Sequence, residues 1–150
     1  MDGRIALNDV RDAAARNRLE QWVQETYEKV LLPSEVRPQI RGVVFEVRQG
    51  YKSKDSKRQN ADIANAAKAY SHLYVPALLL FSTQIDGDVA HRYRLANWVL
   101  LTGTLRGSPT ASAYTFCRDV VGYDLANFFT RFSPRIKAEV ENVLKTLLSA

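Results

Sequence analysis

The stretch VVFEVRQGYKSKDSKRQNAD, Val43 to Asp62, decides the fold. Its first residues are β-branched and aromatic and end at Gly50, which is strand chemistry. Side chains alternate along a strand, so Val43, Phe45 and Val47 face one way and Val44, Glu46 and Arg48 the other. On an internal strand, a carboxylate and a guanidinium sharing one face are costly unless they pair with each other, with a ligand or with a metal. Past Gly50 the chain turns polar, and a helix is predicted from Ser56 to about Tyr74, with Ile63, Ala67, Tyr70 and Tyr74 at helical spacing.

Downstream, YVPALLLFST is apolar without alternation, the pattern of a strand covered on both faces. Strand, helix and strand in this order place the two strands parallel with a right-handed crossover. Ligands of open α/β sheets bind beyond the C-terminal ends of such strands, which is where Glu46 and Arg48 stand. A helix over Gly87 to Asn97, a short strand WVLLTGT and a turn-rich loop TLRGSPTAS follow. Two closing helices are predicted. The first runs from Arg118 to Phe132; the second has Ser133 as cap, Pro134 at its first position and Ile136, Val140, Val143, Leu144 and Leu147 as its buried stripe. Upstream, a helix from about Asp9 to Leu31 is capped by Asn8 or Asp9 and ended by Pro33. The expected fold class is α/β: one domain over residues 1–150, a three-layer helix–sheet–helix arrangement with a small, mostly parallel central sheet, an N-terminal helix and two C-terminal helices.

Charge narrows the function classes. The chain of 150 residues carries 21 Lys and Arg against 16 Asp and Glu, a net +5. Within Tyr51 to Asn60, Lys52, Lys54, Lys57 and Arg58 oppose only Asp55, so most of the excess sits in one loop and helix start. Cations oppose the dipole at a helix N-terminus, and a bound phosphate would reverse that sign. The longest apolar run, Val75 to Phe81, is too short to span a membrane and contains Pro76. The opening residues lack a secretory core, so a cytoplasmic location is expected. Cys117 is the one cysteine and reads as a buried structural thiol, while His72 and His91 lack the partners of a zinc site.

FEVRQGYKSKDSKRQNADI, followed by a helix and YVPALLLFS, resembles the core of the restriction-endonuclease-like, or PD-(D/E)xK, nuclease superfamily over about residues 43–82. The resemblance implies Mg²⁺-dependent hydrolysis of DNA phosphodiesters, with Glu46 as metal ligand and Arg48 in the place of the family's lysine. Arg48 and Lys52 would stand on the scissile phosphate, and Lys52, Lys54, Lys57, Arg58, Gln59 and Asn60 would form the nucleic-acid surface. The family's aspartate on a preceding strand has no counterpart in LLPSEVRPQIRG, where Glu35 is the one acid; Glu20, Glu25 and Glu28 are the alternatives. Cutting both strands of a duplex needs two active sites, hence a homodimer. Two other functions fit the same residues: a nucleic-acid-binding module of this fold without catalysis, and an interaction subunit whose basic patch meets an acidic partner.

Overall fold

The computed structural model describes residues 1–50 and 56–149. Among these residues four strands form one sheet in the order β1 (Gly3–Ala6), β2 (Gly42–Arg48), β3 (Tyr74–Leu80) and β4 (Val99–Leu101). β2, β3 and β4 run parallel, with Val43 opposite Val75 and Ala77 opposite Val99. β1 is antiparallel to β2, with Arg4 opposite Val44. The α/β class and the mostly parallel sheet are as expected; β1 was not foreseen. At the start of β2, Gly42 has φ +149, and a Cβ there would lie 2.1 Å from the Ile5 carbonyl oxygen, so the β1 pairing requires glycine. Pro76 is accommodated because β4 begins opposite Ala77, leaving Pro76 with a paired neighbour on the β2 side alone.

The five α-helices among the described residues are α1 (Ala13–Thr26), α2 (Ser56–Ser71), α3 (Gly87–Leu95), a single turn α4 (Ala113–Thr115) that continues as a π-helical segment over Phe116–Val121, and α5 (Leu125–Leu148). Asp12, not Asn8 or Asp9, caps α1 by accepting from the Ala15 amide. One sheet face carries Val43, Phe45, Val75, Ala77, Leu79, Val99 and Leu101. It packs against Leu19, Trp22 and Val23 of α1 and against Phe116 and Val120. The Phe116 ring lies 4.7 Å from that of Trp22 and 5.5 Å from that of Phe45. Leu78 and Leu80 on the other face meet Ala66 of α2, Val89 and Tyr93 of α3, and Trp98.

Two expectations at the C-terminal end are overturned. Instead of one helix from Arg118 to Phe132, the π-helical segment stops at Gly122, whose φ of +82 is left-handed, and Asp124 then caps α5 by accepting from the Asn127 amide. The last helix therefore starts at Leu125 and contains Pro134; Ser133 is not its cap. Nor is its stripe buried: Ile136, Val140, Val143, Leu144 and Leu147 are each about half exposed or more. Contact with the body is made near the start of α5, where Phe129 packs edge-on against Phe81 and beside Tyr114. Cys117 is half-buried against the main core, and desolvation raises its thiol pKa.

Candidate functional site

β2 is an internal strand, flanked by β1 and β3, so alternation delivers Glu46 and Arg48 beneath α2. They stand in register with Leu78 and Leu80 on the face that α2 and α3 cover. Glu46 is 4% exposed. A carboxylate that deep must be paired, and it is: Arg48 Nη2 donates to Glu46 Oε1. The other oxygen, Oε2, lies 3.2 Å from the Met1 α-amino nitrogen, a charge contact without hydrogen-bond alignment.

The same guanidinium gathers two further acids. Its Nη2 lies 3.3 Å from Asp62 Oδ1, and its Nη1 lies 3.4 Å from Asp2 Oδ2. Asp2, next to β1, also accepts from the Val47 amide at 2.8 Å. Asp62 comes from α2, whose sheet-facing stripe is Gln59, Asp62, Ala66 and Ala69. The stripe expected from apolar residues alone, through Ile63 and Ala67, is rotated from the true one, and Ala67 is exposed. Asp62 is 2% exposed, and its Oδ2 accepts from the hydroxyl of Tyr93, a fully buried residue of α3. The adjacent Arg92 donates to Gln59 Oε1 at 2.6 Å and to Asn60 Oδ1 at 3.0 Å. In this way α3 fixes the side chains of the early turns of α2, and α2 fixes Asp62 over the end of β2.

Arg48, the Met1 amino group and the Tyr93 hydroxyl between them meet the carboxylate oxygens of Glu46 and Asp62. Each of Glu46 and Asp62 already spends an oxygen on Arg48, and among the described residues no three His, Cys, Asp or Glu side chains are grouped to hold a metal ion.

Of the residues singled out in sequence, Glu46 and Arg48 meet directly. Gln59 is 2% exposed and turned to Arg92, whereas Asn60 is exposed. Lys57 and Arg58 occupy the first turn of α2, and Lys52 and Lys54 lie outside the described residues. Asp2, Asp62, Arg92 and Tyr93 were not foreseen. The signal for Asp62 was its place three residues after Gln59 and four before Ala66, on one helical face. For Tyr93 there was none beyond its place in the helix expected over Gly87 to Asn97.

No family model, no curated protein and no solved structure matches this chain. Among the described residues no helix is long and apolar enough to cross a membrane.

Proposed function

We propose that the chain is a metal-dependent DNA endonuclease of the restriction-endonuclease type, hydrolysing phosphodiester bonds, and that its helices form the outer layers of that family's three-layer fold. The observation that carries this reading is the convergence of Asp2, Glu46 and Asp62 on Arg48 at the C-terminal end of a parallel strand. Asp2 stands beside the strand antiparallel to β2, on the side where the family's preceding aspartate is expected.

In this reading Glu46 and Asp62 would hold Mg²⁺, which when bound would supply polarisation of the phosphoryl oxygen and a lowered pKa for water. Arg48 orients the phosphate; permanently protonated, it takes no part as a base. Tyr93 holds Asp62 in position through its hydroxyl. Lys52, with Lys54, Lys57 and Arg58, meets the DNA backbone, and a homodimer supplies the second active site for the second strand. Supercoiled plasmid is the substrate for a direct test. Nicking in Mg²⁺ or Mn²⁺, abolished by chelator and by Glu46→Gln, is the expected result; nicking that persists in chelator removes the metal from the reading.

One observation favours the alternative of nucleic-acid binding without cleavage. Arg48 spends donors on three carboxylates, a self-contained arrangement that needs no metal to be stable. Binding without nicking in any divalent metal would establish it.

A further inference from the structure

A groove of about 300 Å³ opens beside the acidic site, between α2 and the β1–β2 edge of the sheet. Its floor is Val44, Ala69 and Tyr74, and its walls carry Arg4 from β1, Asn65 and Lys68 from α2, and His72 just beyond α2. No acidic side chain lines it among the described residues. Val44 precedes Glu46 on the same strand face, and Met1, whose nitrogen contacts Glu46, also lines the groove, so it is continuous with the site.

The cations come from separate elements and are partly pre-ordered. Arg4 and Arg41 each set a guanidinium 5.8 Å from the ring centroid of Tyr74, which is itself 5% exposed. His72 Nδ1 lies 2.8 Å from the Lys68 carbonyl oxygen, which anchors its ring to the end of α2. Lys68 and His72 there also complement the helix dipole. That role does not explain Arg4, which stands on the sheet side of the groove, nor Arg41, which shares the Tyr74 ring with it. A groove with an apolar floor and cations on opposite walls suits a strand whose backbone is anionic and whose bases are flat and apolar-faced. From Asp62 to the level of His72 the axis of α2 runs about 15 Å at 1.5 Å per residue, the length of roughly four nucleotides in a stacked strand.

We propose that this groove binds the phosphodiester backbone of a single nucleic-acid strand leading away from the Glu46–Arg48–Asp62 site, with Arg4 and Lys68 as its phosphate contacts and Arg41 and His72 beside them. The proposal rests on the nuclease reading for its direction, but its binding chemistry stands without cleavage. The test is binding of a short, labelled single-stranded oligothymidylate, in chelator, to the native chain and to Arg4→Ala/Lys68→Ala, across a series of salt concentrations. Lys145→Glu, which changes net charge equally from exposed α5, is the control, and both variants are first checked for an unchanged thermal midpoint.

The expected result is binding weakened roughly tenfold at low salt in the groove variant alone, with the slope of log Kd against log salt lower by about 1.4, near 0.7 for each lost contact. If the groove variant fails to hold its midpoint, Lys68→Gln replaces it, with a slope change of about 0.7 expected. Equal weakening by Lys145→Glu, or unchanged affinity and slope in the groove variant, overturns the proposal. Binding that behaves as expected without metal-dependent cleavage sinks the nuclease reading and leaves the groove. Cleavage with binding indifferent to Arg4 and Lys68 does the reverse.

Discussion

At the scale of single residues, Arg48 holds the site together. It is the cation between Glu46 and Asp62, whose side chains are 6% and 3% exposed, and removing it takes from two buried carboxylates the guanidinium they share. Breaking a buried pair from one side costs about 3–5 kcal/mol, whereas replacing the whole group by apolar or neutral side chains of similar volume is close to neutral. Arg48→Met should therefore destabilise the chain by about 3 kcal/mol in urea unfolding, and Glu46→Gln/Arg48→Met/Asp62→Asn should recover most of that loss. Equal losses in the two variants would mean that the carboxylates do not depend on Arg48. Strand alternation made Glu46 and Arg48 legible in the sequence, because a period of two is strict. Asp62 was hidden, because a helix face recognised by its apolar residues passes over a polar one that packs inward to meet a charge.

The elements differ in how far local chemistry specified them. β2, α2, β3, α3 and β4 follow hydrophobic pattern and turn residues, and they fall where pattern placed them, within a few residues at the ends. β1 has four residues and no strand signature; it is a strand because β2 offers an edge, with the Asp2 amide bonded to the Phe45 carbonyl and the Leu7 amide to that of Arg41. The start of α5 was misplaced for the opposite reason. Ser133 and Pro134 form a good local start signal, yet Gly122 and Asp124 provide an earlier break and cap that fit the packing of Phe129 on Phe81. Some local strain remains. Leu31, beyond α1, has φ +49 and is 77% exposed, so its side chain contributes little burial against its backbone cost. Leu31→Gly is expected to raise stability by about 1 kcal/mol, measured by urea denaturation; a loss of stability would mean that the leucine packs usefully.

Across the whole molecule, the two sides of the sheet are unequal. The face toward α1 and the π-helical segment is an apolar core anchored by Trp22 and Phe116, and it supplies stability. The face toward α2 and α3 gives up part of its apolar packing to Glu46, Arg48 and Asp62, and it supplies the site. α5 belongs to neither. No residue in it is fully buried, and its outer half carries its ion pairs, Arg135–Glu139 and Lys137–Glu141, along its own surface. Ending the chain after Ser133 should change unfolding free energy by less than about 0.5 kcal/mol, since surface changes away from the core rarely cost more; a larger loss would place the outer half of α5 against the body. The proposed activity rests on the acidic centre as the place of chemistry. Its most direct test is single-turnover cleavage of a labelled DNA duplex in Mg²⁺ by the native chain and by Glu46→Gln, with binding of the same duplex measured in chelator. Cleavage by the native chain that falls at least about a hundredfold in the variant, with binding retained, is the predicted result, in line with losing an interaction made only in the transition state. A variant that cleaves at the native rate, or a native chain that binds the duplex and cuts it in no divalent metal, contradicts the account.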